Sequence, residues 1–238
     1  MRTVLLSDIH GNHLALRKVL VDIGNRSQQI VCLGDVAWHG PQPSQAIREL
    51  KRLAVPMVMG NTDEYLIGGH RHVATSNWHE IGHWCREALT DEDVAFVRTF
   101  KETIEVNIGA GVKLLGYHGS PRSNNESIYP TTPDDELETI FESRVEGVFA
   151  GGHTHSQMFR RFGDRLVINP GSVGMPFDSP GQKGSKSPPW AEYAILDCGK
   201  EGLSVTMKRV GYDVEELAEV AAKSGMPHSD WWMKGWIR

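Results

Sequence analysis

The spacing of apolar and polar positions along the 238-residue chain changes several times, and each change marks an element. Residues 3–6 form a short apolar run, the mark of a buried strand. From residue 12 to 23 the apolar positions Leu14, Leu16, Val19, Leu20 and Ile23 keep helical spacing, and Gly24 supplies a stop. Residues 30–33 read as a second strand, Ser44 as the cap of a helix reaching Leu53, and residues 56–59 as a third strand. This strand–helix–strand rhythm predicts a parallel, buried sheet. Residues 78–89 return to helical spacing, and Thr90 with Asp93 resembles a capping box for a helix to about Phe100.

The remainder favours hairpins. Residues 103–108 and 112–117 flank Gly109-Ala110-Gly111, residues 157–162 and 166–169 flank Gly163-Asp164, and residues 192–197 and 203–210 surround Gly199. Between them, Thr132, Pro133 and an acidic first turn start a helix through about Ser143, and residues 148–150 read as a strand. Residues 213–223 form a last helix. One α/β domain over residues 1–238, two stacked mixed β-sheets flanked by helices, satisfies both halves. The C-terminal helix and Trp-rich tail, residues 213–238, pack on it; Trp231-Trp232 serves that packing or a homodimer contact. The loop at residues 176–189 is either mobile or laid over a site.

Composition narrows the setting. A formal net charge of -5 does not indicate a basic surface for nucleic acid, which is not favoured as a partner, although a local cleft can still be positive. Cys32, Cys85 and Cys198 are far apart and form no C-x-x-C pair, which argues against a disulfide framework or a thiolate zinc site. No apolar run approaches membrane-spanning length, and the start is too short and polar for a signal peptide, so a cytoplasmic setting is expected.

The chemistry sits at the ends of the apolar runs. Five strand candidates each run into metal-ligand residue types: Asp8 and His10, then Asp35, Asn61, His118, and finally His153 and His155. In α/β sheets, ligands bind beyond the carboxyl ends of strands, so five such ends converge on one cleft. Mixed oxygen and imidazole donors suit Mn, Fe, Zn or Co rather than Ca or a thiolate-bound metal. Seven ligands exceed the needs of one open catalytic ion and fit two ions with a shared carboxylate.

Asp8-x-His10, Gly34-Asp35, Gly60-Asn61, His118-Gly119 and Gly152-His153-Thr154-His155, in that order, resemble the calcineurin-like metallophosphoesterase superfamily, and within it the small prokaryotic single-domain phosphoesterases. Gly40-Pro41, His118-Gly119-Ser120-Pro121 and the stretch Asn169-Pro170-Gly171-Ser172-Val173-Gly174 extend the likeness, as does Tyr212-Asp213-Val214-Glu215. The resemblance implies a four-layer α/β/β/α sandwich and two divalent ions, Mn first, with Fe, Zn, Co or Ni as alternatives. It places Asp8, His10, Asp35 and His155 around one ion and Asp35, Asn61, His118 and His153 around the other. Asp35 bridges them together with a water or hydroxide that attacks phosphorus in line.

One departure is informative. Phosphoprotein phosphatases of this superfamily carry a His after the Asn and an Asp three residues after the bridging Asp; here those positions hold Thr62 and Trp38. A missing general acid favours a substrate with a good leaving group, a phosphodiester or nucleotide polyphosphate, over a phosphoprotein or other monoester. His39 is the nearest alternative proton source, and Arg122 is a candidate for a phosphate oxygen. Asn169-Pro170-Gly171-Ser172 is a turn or part of the cleft lining, and His13, His70, His72 and His228 read as structural or surface residues. A non-catalytic metal-binding interaction module and a nuclease stand as alternatives. A zinc protease is a third, since His79-Glu80-Ile81-Gly82-His83 fits H-E-x-x-H. Against that last reading, Gly82 weakens the helix and Arg86 and Leu89 break the longer pattern.

Overall fold

The computed structural model describes residues 1–27, 29–68, 76–179 and 184–237; His70 and His72 lie outside these. In chain order the strands are β1 (Arg2–Leu6), β2 (Gln29–Cys32), β3 (Ile104–Gly109), β4 (Val112–Gly116), β5 (Val148–Ala150), β6 (Met158–Phe162), β7 (Arg165–Asn169), β8 (Trp190–Gly199) and β9 (Gly202–Gly211). The helices are α1 (His13–Ile23), α2 (Pro43–Leu53), α3 (Asn61–Gly68), α4 (Asn77–Glu87), α5 (Asp91–Val97), α6 (Asp134–Ile140), α7 (Val214–Lys223) and α8 (Ser229–Met233).

The strands form two mixed sheets. One has the order β2-β1-β8-β9, with β1 parallel to β2 and antiparallel to β8. The other has the order β3-β4-β5-β7-β6, parallel at its centre and antiparallel at both hairpin edges. Strand alternation sorts side chains into three buried layers. Leu5 and Ala194 of the first sheet meet Leu114, Val148 and Ile168 of the second in the layer between the sheets. Val4 and Leu6 point the other way, into a core shared with α1, α2, α4, α5, α7 and α8. Leu115, Phe149 and Val167 point outward from the second sheet onto Leu137, Ile140 and Phe141 of α6 and the residues that follow it. The result is a four-layer α/β/β/α sandwich, and no described helix is long and apolar enough to cross a membrane.

Four expectations need correction. Residues 56–59 form no strand: Met57 makes an isolated parallel bridge to Cys32 and Val58 one to Lys101, because Pro56 offers no N–H to extend the ladder. Ser44 does not cap α2; Pro43 starts that helix and the Ser44 hydroxyl donates to Ala88 O and Asp93 Oδ2. Two helices end early: the one after Thr90 at Val97 rather than Phe100, and α6 at Ile140 rather than Ser143. The C-terminal segment packs inward, with Trp232 and Trp236 in the same core as α1 and α4. Trp231 is the more exposed of the Trp231-Trp232 pair and sets its edge against Trp78 at 5.0 Å.

Candidate metal centre

The loops after β1 and β2 leave the sheet together. Asp8 N–H donates to Gly34 O, His10 N–H to Asp35 O and Gly11 N–H to Val36 O, so the parallel pairing continues past the strands. Asp63 locks this pair to the start of α3. Its buried carboxylate accepts from Asp35 N–H (2.8 Å), Val36 N–H (2.9 Å) and Gly60 N–H (3.0 Å). Gly60 has to be glycine here, because a Cβ would stand 2.0 Å from Asp35 Oδ1. From the second sheet, β4 delivers His118, and the turn after β5 delivers His153 and His155. Gly152 N–H donates to His118 O (2.8 Å), joining the two deliveries.

The seven ligand-type side chains converge. His10 Nε2 and His155 Nε2 are 3.0 Å apart, and Asp8 Oδ1 lies 3.3 Å from His155 Nε2 and 3.9 Å from His118 Nε2. Asp35 Oδ2 is 3.4 Å from His118 Nε2 and 3.7 Å from His10 Nε2. Asn61 Oδ1 sits 3.0 Å from both His118 Nε2 and His153 Nδ1. Asp8, His10, Asp35, His153 and His155 all have positive φ, a conformation that non-glycine residues adopt rarely and that clusters at functional sites.

Hydrogen bonds on the far side of each ring fix what it presents. His10 Nδ1 faces Trp38 O (2.9 Å), His118 Nδ1 faces Leu33 O (2.8 Å) and His155 Nδ1 faces Met175 O (2.6 Å). A carbonyl only accepts, so each Nδ1 carries the proton and each neutral ring offers a lone pair at Nε2. Lone pairs of His10 and His155 therefore point at each other, and that of His118 points at Asn61 Oδ1 and Asp35 Oδ2. Asp8 Oδ1 is buried with no hydrogen-bond partner. Acceptors facing acceptors repel unless a proton or a cation stands between them. Two subsets, Asp8–His10–His155 and Asp8–Asp35–His118, have the spacing to hold a metal ion.

Without a cation, protons take that place. Burial pushes His118 down, but the carboxylate of Asp35 outweighs it and raises the imidazole to about 10. Burial likewise opposes protonation of His155, yet Asp8 raises it. Burial and the neighbouring His155 hold His10 below its ordinary value. Burial favours neutral Asp35, but His118 outweighs it and holds the carboxyl below the usual carboxylate range.

A model of the calcineurin-like phosphoesterase superfamily domain matches residues 1–201. The chain belongs to that superfamily. It is 28% identical over 236 residues to an uncharacterized protein of Methanocaldococcus jannaschii, covering 94% of this chain and 93% of that one. Among solved structures it is similar to a metallophosphoesterase from Sphaerobacter thermophilus, at 26% identity and a TM-score of 0.77 over 99% of this chain and 97% of that one. A hypothetical protein of Pyrococcus horikoshii shares the fold with a TM-score of 0.78, at 21% identity over 98% and 96% of the two chains.

Beside the calcineurin-like ligand set lies a cleft of about 570 Å³. His39 lines it, with its ring 6.1 Å from that of His10 and 4.8 Å from Trp78. Burial, with the neighbouring His10 adding to it, holds its imidazole well below the ordinary histidine value, so at neutral pH it is uncharged and poorly suited to act as a general acid. Arg122 does not reach the cleft. Its guanidinium makes a two-nitrogen pair with Glu126 and borders a separate surface depression with Met59 and Glu64. The Asn169-to-Ser172 turn buttresses rather than lines: Ser172 Oγ donates to Asp8 O (2.7 Å), and Asn169 Nδ2 to Gly152 O (2.6 Å). His79 and His83 line the same cleft, while Glu80 turns away to His228 at 2.7 Å. Sequence reasoning passed over Asp63; its place two residues after Asn61, in the first turn of an unforeseen helix, was the available signal.

Proposed function

We propose that this protein is a phosphodiester hydrolase that works with two divalent cations, Mn first, with Fe, Zn, Co or Ni as alternatives. The reading is carried by the facing acceptors of His10, His155, Asp8, Asp35, His118 and Asn61, a donor set that repels itself unless protons or cations stand between its members. Asp8, His10, Asp35 and His155 would hold one ion, and Asp35, Asn61, His118 and His153 the other. Bound there, the pair would neutralise charge on the phosphoryl group and supply an activated water.

The chain's own residues set the preference for a diester. Among the described residues, no Lys or Arg lines the cleft. A phosphodiester carries one negative charge at phosphorus, and the described lining offers no Lys or Arg to pair with the further charge of a monoester dianion or a polyphosphate. Thr62, at the position of the phosphatase histidine, has a buried hydroxyl with no partner. Trp38 uses its carbonyl to orient His10. With His39 neutral, the ring next to the candidate ligands does not replace the missing phosphatase acid, so esters of acidic alcohols are favoured.

The test is a rate comparison on Mn-reconstituted protein: a bis-aryl phosphodiester, an aryl phosphomonoester and a dinucleoside polyphosphate, each with and without chelator. Chelator-sensitive turnover with kcat/KM at least tenfold higher for the diester is expected. A monoester preference would overturn the substrate reading and leave the donor set to be explained by phosphatase chemistry.

A further inference from the structure

The cleft next to the donor set is walled by aromatic rings from three separate segments: Trp38 after β2, Tyr65 on α3 and Trp78 on α4. Trp38 lies 5.8 Å from Tyr65 and 5.6 Å from the ring of His39, which in turn lies 4.8 Å from Trp78. The patch begins one ring away from a candidate ligand, because His39 also stacks on His10. Tyr65 is 42% exposed, and Trp38 and Trp78 are half-buried, packing against the core on one side and lining the cavity on the other.

The surroundings are built to hold this wall. Gly82, in the middle of α4, gives up helix propensity to seat the Trp38 indole: a Cβ there would lie 2.1 Å from Trp38 Cζ2. The Trp38 carbonyl accepts from His10 Nδ1, which ties the indole to the donor set. Trp78 is backed by Trp231 of α8, and Glu80, on α4 with Trp78, is held by His228. The polar edge of the cleft is made of imidazoles, His79 and His83 one helical turn apart on α4, together with His39. Flat aromatic faces rimmed by imidazoles that can donate or accept hydrogen bonds, without Lys or Arg among the described lining residues, suit a planar heteroaromatic ring.

We propose that Trp38, Tyr65 and Trp78 form a stacking subsite for the nucleobase of a nucleoside phosphodiester, with His79 and His83 facing the edge of the base. This rests on the hydrolase reading for its phosphate position but not for its binding. It gives the H-E-x-x-H stretch a role in substrate selection rather than in proteolysis.

Two measurements separate the subsite from the hydrolase reading. The first compares kcat/KM for thymidine 5′-(4-nitrophenyl phosphate) and methyl 4-nitrophenyl phosphate, which share a leaving group and differ in the nucleoside. The wild-type ratio is expected to be tenfold or more, carried by KM; Trp78→Leu should bring it below threefold and Trp78→Phe should retain it. The second follows intrinsic tryptophan fluorescence of the chelator-treated full chain titrated with thymidine 5′-monophosphate. Saturable quenching in the wild type that weakens at least tenfold in Trp78→Leu supports the subsite even if neither ester is turned over. Turnover of both esters at equal kcat/KM, without quenching, overturns the subsite and leaves the hydrolase reading standing. Absence of both turnover and quenching overturns it as well. An equal loss on both esters in Trp78→Leu would mean that the rings hold the aryl leaving group, which also overturns the base assignment.

Discussion

At His118, burial disfavours the imidazolium, and Asp35 at 3.4 Å favours it more strongly, so the metal-free ring titrates at about 10. A histidine whose folded pKa is raised stabilises the fold fully below its unfolded value, about 6.5, and that contribution fades as pH climbs to the folded value. The metal-free protein should therefore lose thermal stability between about pH 7 and about pH 8.5, a window below the ordinary thiol range, where buried Cys32 and Cys85 would begin to contribute. Saturating divalent cation should flatten the fall, since the ion replaces the proton. Thermal melts with and without chelator check this; a metal-free Tm that rises with pH across the window contradicts the pairing. The candidate ligands were legible in the sequence because each follows an apolar run that ends in glycine or a polar turn. Asp63 was not. Its three accepted backbone hydrogen bonds depend on the loop after β2 folding over α3, a tertiary fact that no local spacing records. Arg122 differs: it pairs with Glu126 only four residues on, a local contact that its sequence spacing allows.

Among the elements, α5 shows how a local signal and a tertiary one combine. Thr90 and Asp93 form the capping box that their spacing foretold. The buried Asp93 carboxylate also receives Arg48 and Ser44 from α2, so it pins two helices as well as starting one. Asp93→Ala should cost about 1–2 kcal/mol, the upper range for a lost cap, read as a shift of the denaturant midpoint at constant slope. A change under about 0.3 kcal/mol would mean that the box is ornamental in the folded chain. Most strands and long helices followed from periodicity, but α3 did not. Eight residues with an acidic first turn carry almost no apolar stripe, and what holds α3 in place is Asp63 and the buried Leu66. The spacing of residues 78–89 foretold α4 in spite of Gly82. That glycine reads as a helix weakener, yet α4 forms around it because Trp38 occupies the space that a side chain would take.

For the whole molecule, two sheets share one apolar layer, and their strand ends open on the same side. That arrangement brings residues as distant in sequence as Asp8 and His155 within 3.3 Å. The βαβ rhythm followed by hairpins was enough to foresee stacked mixed sheets. The aromatic wall was not foreseeable, because Trp38, Tyr65 and Trp78 share no period and meet only when α3 and α4 fold over the cleft.

The claim on which the rest depends is that the facing acceptors hold divalent cations. The most direct measurement is a calorimetric titration of chelator-treated protein with Mn, repeated in two buffers of different ionisation enthalpy, alongside Asp35→Ala. Two ions bound per chain with protons released is the expected result, and loss of at least one ion in the variant should accompany it. Binding of no cation by the intact chain, or identical stoichiometry without Asp35, would contradict the account.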